Sequence, residues 1–167
     1  MFYEVSRRKK VTIKPEHLSK KCLNEAIASE IENNPYIGDN SILIMLKSID
    51  EVKTLPIECP LGLDFLVTHT CLVQKYSEND VVDATVRQVE KFYIEVSMGA
   101  VRGYVSRYYM PTDMEYDEDS NSYVWDAERR SLSLGDSVRF RIFKIYQTEN
   151  GFMIMGDMKG EYMGPFH

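Results

Sequence analysis

Cysteine is scarce in this chain, and the three present, Cys22, Cys59 and Cys71, are odd in number and widely spaced. No pair has the short separation of a zinc knuckle or a redox dithiol, so they read as reduced, mostly buried thiols. Histidine is equally sparse. His17, His69 and His167 lie far apart, and their spacing argues for no metal site. No apolar run approaches the ~20 residues of a membrane-spanning helix. The opening stretch, MFYEVSRRKKVTIKP, carries charges where a secretory signal needs its apolar segment. The expectation is an intracellular protein with no membrane partner. Phosphate-loop and dinucleotide fingerprints are missing as well, since Gly99 and Gly103 are too sparse for either. No Ser, Cys or His stands in a nucleophile context. The acidic run 113–128 lacks the turn glycine of a cation-binding loop and reads as a solvated loop. Catalytic residues, metal ligands and cofactors are therefore all expected to be absent.

What is present is an ordinary globular composition, 44% hydrophobic and 28% charged, in 167 residues. That length holds one medium domain or two small ones. The net charge of −6 repels nucleic acid at long range, but the charge is patchy. Residues 1–21 hold seven bases, Arg7, Arg8, Lys9, Lys10, Lys14, Lys20 and Lys21, against Glu4 and Glu16. Residues 129–144 hold Arg129, Arg130, Arg139, Arg141 and Lys144 against Asp136 alone. Local patches of this kind bind phosphate with strong salt dependence, or serve as solvated faces or protein contacts. A protein contact is favoured for the N-terminal patch.

Hydrophobic periodicity divides the chain. Tyr3 to Ile13 reads as a strand. Pro15 suits the first turn of a helix whose stripe is Leu18, Cys22, Leu23, Ala26, Ile27 and Ile31. Asn33, Asn34, Pro35 and Gly38 end it. Ser41 to Ile49 is apolar nearly throughout and suits a strand covered on both faces. A loop with Pro56, Pro60 and Gly62 follows, then a strand from Phe65 to Leu72. The expectation for 1–78 is an α+β unit with one helix on one face of a small sheet. The polar segment Gln74 to Asp80 marks a boundary.

Residues 79–167 read as all-β. Strand alternation is carried by Val82, Ala84 and Val86, and then by Phe92, Ile94, Val96 and Met98. A third strand continues through Tyr104 to Tyr109. After a long polar insertion, Val138, Phe140 and Ile142 alternate, and finally Phe152, Ile154 and Gly156. Five short strands between about Val81 and Met158, with an excursion between the third and fourth, match the layout of an OB-type barrel, whose closure removes exposed edges. Such barrels bind single strands by stacking bases on aromatics while basic residues track the backbone. The candidates are Phe92, Tyr93, Arg102, Tyr104, Arg107, Tyr108, Arg139 and Arg141. Phe92 and Tyr104 could equally fill the barrel, and a tyrosine on a sheet surface is common. For the face as a whole, RNA contact is favoured.

The run Tyr104-Val105-Ser106-Arg107-Tyr108-Tyr109-Met110-Pro111-Thr112-Asp113-Met114, with the acidic stretch Glu115 to Tyr123 behind it, resembles the stalk subunit of eukaryotic RNA polymerase II. That subunit is the larger-domain member of a two-subunit stalk and has archaeal and polymerase I and III relatives. In the family, a Ser-Arg pair leads into Ile-Pro-Ser-Asp-Met and an acidic loop. Pro60-Leu61-Gly62 with Phe65, Val81-Val82-Asp83-Ala84 and Phe92-Tyr93-Ile94-Glu95-Val96 are similar to other family segments. Asn79 and Ser19 stand where the family has glycine. The resemblance implies a truncated RNP-like tip domain at 1–78, docking to the polymerase core through Pro15, Pro60, Leu61 and Gly62. It implies an OB-fold barrel at 79–167 that touches nascent single-stranded RNA. A small helical stalk subunit would complete a heterodimer, in the nucleus, with roles in transcription initiation and no turnover of its own. A free-standing OB-type RNA-binding factor is the alternative, and the acidic balance counts against it. An enzyme with an OB appendage would need a site in the first domain, where none is visible.

Overall fold

The computed structural model describes residues 1–18, 22–56, 62–125, 130–149 and 151–166. The chain is mostly β-sheet and divides into two compact units, Met1–Tyr76 and Ser77–His167.

In the first unit, β1 (Phe2–Ile13) leads into a short 3-10 turn at Pro15–His17 and then helix α1 (Leu23–Glu32). Strands β2 (Tyr36–Gly38), β3 (Ser41–Thr54) and β4 (Leu63–Lys75) follow. The antiparallel sheet has the order β1-β4-β3-β2, so β4, the last of the four in sequence, lies between β1 and β3. On β4, Phe65, Val67, His69, Cys71 and Val73 are buried on one face, the period-2 alternation of a pleated strand. Val11 and Ile13 of β1 join them, and Ile27 and Ile31 of α1 pack on top. Fully burying a side chain of this size is worth about 1.5–3 kcal/mol. The helix does not begin at Pro15, as the periodicity suggests. Proline there sets a separate 3-10 turn, and α1 opens at Leu23 with Glu25 favourably placed in its first turn. Pro35 stops it, because the residue before proline resists helical geometry. β3 is not covered on both faces either. Bulges between Leu43/Met45, Leu46/Ser48 and Ile49/Glu51 rotate its side chains, and Ile44 and Met45 are exposed.

In the second unit, β5 (Val81–Glu90), β6 (Tyr93–Met98) and β7 (Val101–Ser106) form a meander, with a 3-10 turn at Arg107–Tyr109. Next come β8 (Met114–Asp117), β9 (Ser122–Trp125) and β10 (Arg130–Leu132), then β11 (Ser137–Thr148), β12 (Gly151–Asp157) and β13 (Gly164–Pro165). Pairings β5–β6, β6–β7, β7–β12, β12–β11 and β11–β5 close a ring of five strands, and only β7–β12 is parallel. Val86, Ile94, Val96, Val105, Phe140, Ile142 and Ile154 fill the interior. Two glycines face inward among them: a Cβ on Gly103 would meet Val96 at 3.1 Å, and one on Gly156 would meet Phe140 at 2.4 Å. At the β6–β7 turn, Gly99 adopts φ 75°, a region a side chain would strain. The polar insertion is not simply a solvated loop. Strands β8, β9 and β10 make a small antiparallel sheet, with Met114, Tyr123 and Leu132 buried. The Tyr123 hydroxyl donates to the carbonyl oxygens of Glu90 and Lys91, both at 2.9 Å, which ties this sheet to the β5–β6 turn.

Candidate nucleic-acid interface

The outward registers of β6 and β7 carry the residues that stacking chemistry needs. Pleating buries Ile94 and Val96 on β6, and Val101, Gly103 and Val105 on β7. The residues between them, Tyr93, Glu95, Arg102 and Tyr104, therefore face out. Tyr93 lies opposite Ser106, and Tyr104 lies opposite Glu95 on one side and Met155 of β12 on the other. The Tyr93 and Tyr104 rings sit 6.0 Å apart at 60°, the tilted geometry that aromatic quadrupoles favour. Arg102 reaches Glu95 at 3.5 Å and keeps most of its side chain in water.

At the end of this strand pair the turn geometry adds two more rings. Glu90 pairs with Tyr93, leaving Lys91 and Phe92 as a two-residue turn. Phe92 is therefore 72% exposed and leaves the interior register that simple alternation offers it. The Arg107 amide donates to the Phe92 carbonyl oxygen at 2.8 Å, so the 3-10 turn carrying Tyr108, 83% exposed, starts beside it. Phe92, Tyr93, Tyr104 and Tyr108 thus belong to one region of the barrel.

The basic candidates divide differently. Arg107 is committed to structure: its guanidinium donates to the carbonyl oxygens of Pro111, at 3.0 Å, and Met114, and lies 5.9 Å from the Tyr123 ring centroid. Arg139 and Arg141 belong to β11, which β5 separates from β6. Arg139 stands opposite Asp83 and clamps its carboxylate through two bonds, at 2.6 and 2.9 Å. Its guanidinium also lies 4.9 Å from the Phe166 ring centroid. The paired bonds hold the Asp83 carboxyl below its usual range and push the Arg139 guanidinium up. Arg141 remains exposed on the same outward register. Among the described residues, no three His, Cys, Asp or Glu side chains gather to hold a metal ion, and no helix is long and apolar enough to cross a membrane.

No family model matches the chain. Curated relatives do. DNA-directed RNA polymerase II subunit RPB7 of Saccharomyces cerevisiae is 22% identical over 171 residues, spanning 98% of this chain and 99% of the relative. The subunit of the same name from Dictyostelium discoideum is 24% identical over 98% of both chains. That from Schizosaccharomyces pombe is 26% identical over 60% of this chain and 59% of its own. Over nearly its whole length the chain is thus similar to curated proteins named as this polymerase subunit.

The residues that the family resemblance marks for polymerase contact lie in the first unit. Pro15 is exposed at the start of the 3-10 turn. Gly62 is buried against Ile13, two residues before Pro15: a Cβ built there would lie 2.7 Å from the Ile13 carbonyl oxygen. The fold thus brings Pro15 and Gly62 to one end of the sheet. Pro60 and Leu61 lie outside the described residues. Sequence reading missed Asp83, because its partner Arg139 is 56 positions away. The signal was there in one form, an outward Asp on one strand and an outward Arg on another, but pairing them needs the ring order.

Proposed function

We propose that the chain is a non-catalytic stalk subunit of DNA-directed RNA polymerase II. The first unit, as an RNP-like tip, docks to the polymerase core through the Pro15–Gly62 end and engages a small helical partner subunit. The second unit, as an OB-type barrel, contacts nascent single-stranded RNA. Its place of action is the nucleus, and its role is in transcription initiation. The observation that carries the reading is similarity over 98% of the chain to relatives named for this polymerase subunit. The closed five-strand ring and the four rings on one region of its surface support the RNA-binding part.

The mechanism is stacking without sequence readout. Bases lie on Phe92, Tyr93, Tyr104 and Tyr108, while Arg102 and Arg141 are the candidate bases left to meet phosphate. Each stack is worth about 1–3 kcal/mol. With few cations beside these rings among the described residues and a net charge of −6, binding is weak and fades with added salt. Fluorescence anisotropy with a labelled single-stranded RNA tests it. Replacing Phe92, Tyr93 and Tyr108 with alanine lowers affinity at least ten-fold at low salt, and unchanged affinity refutes the choice of face. Affinity purification from the native source tests assembly. Recovery of polymerase subunits supports the stalk reading; recovery of ribosomal or messenger-RNA particles without polymerase overturns it.

A further inference from the structure

A buried histidine in the first unit faces a cationic cavity that neither the RNA face nor the Pro15–Gly62 end uses. Arg7 and Lys9 of β1 share the helix-side face with Val11 and Ile13, an apolar register that charged residues ordinarily avoid. On β4, His69 stands between Arg7 of β1 and Ile49 of β3. It is only 2% exposed, and its Nδ1 has no hydrogen-bond partner. Buried polar atoms are nearly always satisfied, so an orphan beside a cavity marks a place for a missing group. The cavity is about 210 Å³, and its lining includes the cations Arg7, Arg8 and Lys9, His69, and the apolar Ile31, Ile37 and Leu43.

The local charges are under-used. Arg7 reaches Asp39 only at 3.5 Å, and the Lys9 ammonium donates to the Glu30 backbone carbonyl at 3.2 Å. Burial pushes the Lys9 ammonium down, because desolvation outweighs the nearby Glu30 carboxylate. Burial likewise pushes His69 down and keeps it neutral near pH 7. An anion in the cavity would relieve both. The space is smaller than the ~300–1,000 Å³ of sites for drug-sized ligands, so it suits one side chain. A free phosphate would leave the apolar lining bare, whereas an acidic residue next to an apolar one would meet both kinds of lining.

We propose that this cavity is a docking site for an acidic-apolar peptide segment of a partner protein, with an Asp or Glu carboxylate held by Arg7, Lys9 and His69. The carboxylate accepts from the guanidinium and the ammonium, and from a ring N–H of His69. A bound carboxylate also favours the charged imidazolium, so binding takes up a proton and tightens as pH falls from 7 to 6. The other charges that act on His69 are Lys9, which opposes protonation, and Asp50, which favours it. Glu30 and Asp39 border the site through Lys9 and Arg7.

The test uses the full chain labelled with ¹⁵N-histidine and titrated with acetyl-Asp-Leu-Asp-Phe-amide. Controls are the same peptide with Asn for Asp, and inorganic phosphate. The expected result is a saturable shift of the His69 ring signals with the acidic peptide, at least three-fold tighter binding at pH 6 than at pH 7, and at least five-fold weaker binding in Arg7→Gln. A response to the Asn peptide equal to that of the acidic one overturns the proposal, as does no response at millimolar peptide. Phosphate binding as tight as the peptide assigns the site to a small anion and also overturns it. His69→Leu removes the assigned signals; should it fail to fold, Arg7→Gln, at the cavity's more exposed rim, decides alone. Neither result bears on RNA binding, which belongs to the other unit.

Discussion

Replacing Gly156 with alanine puts a methyl group where the Phe140 ring already is. The added carbon lies 2.4 Å from Phe140 Cδ2 and 2.9 Å from Val105 Cγ2. Carbon contacts are comfortable at about 3.5–4.0 Å, so the ring must retreat by roughly 1 Å. It has nowhere to go, because Phe140 is fully buried in a close-packed interior. Overpacking of this kind costs about 1–3 kcal/mol. The assay is urea unfolding followed through Trp125, the single tryptophan, which belongs to the barrel unit. With an m value of about 1–3 kcal/mol per molar, the midpoint falls by roughly 1 M. Phe140→Leu in the same chain makes room for the methyl group. The double variant then loses less stability than the two single losses added together, by about 0.5–3 kcal/mol. A Gly156→Ala protein within 0.5 kcal/mol of the parent refutes the packing argument, and so does strict additivity in the double variant.

Other perturbations separate structure from binding. Gly62→Ala places a Cβ 2.7 Å from the Ile13 carbonyl oxygen, where backbone cannot yield, so hydrogen exchange in β1 and β4 accelerates while the Trp125 transition stays fixed. Tyr123→Phe leaves the Glu90 and Lys91 carbonyls without their shared donor and lowers barrel stability by about 0.5–1.5 kcal/mol in the same urea assay. Asp64 is buried, accepts from Thr12 Oγ1 at 2.7 Å and pairs with Lys10 at 2.9 Å. These bonds hold its carboxyl below the ordinary 3.8, so its contribution is complete above that pH and is lost as pH falls further. Asp64→Asn removes this part of the acid dependence of the first unit, read from circular dichroism between pH 5 and pH 2; an unchanged acid limb counts against it.

Much of the architecture was legible because period-2 burial is a local signal. Val82, Ala84 and Val86 announce their inward face within a few residues, and Phe65 to Leu72 reads as a strand from its β-branched and aromatic residues. The one helix was visible from Leu23, Ala26, Ile27 and Ile31, although its start was not, because Pro15 is as compatible with a 3-10 turn as with an α-helical one. The β8–β10 sheet was hidden because its buried residues, Met114, Tyr123 and Leu132, are isolated within a stretch dominated by acids. At the candidate site, the exposed tyrosines were readable from strand register. The roles of Arg107 and Arg139 were not. Each arginine is spent on a partner that only tertiary structure supplies, a pair of backbone carbonyls for one and a carboxylate from a distant strand for the other.

The parallel seam between β7 and β12 has a temporal side. β7 ends at Ser106, and its partner is complete only at Asp157. During synthesis, which runs at about 5–20 residues per second, the β5–β6–β7 meander leaves the ribosome several seconds before the strand that closes it. Through that interval one edge of β7 is open to any extended chain nearby. Conditions that slow translation between those two strands lengthen the exposure, and they mark the stage at which the nascent protein most needs a chaperone.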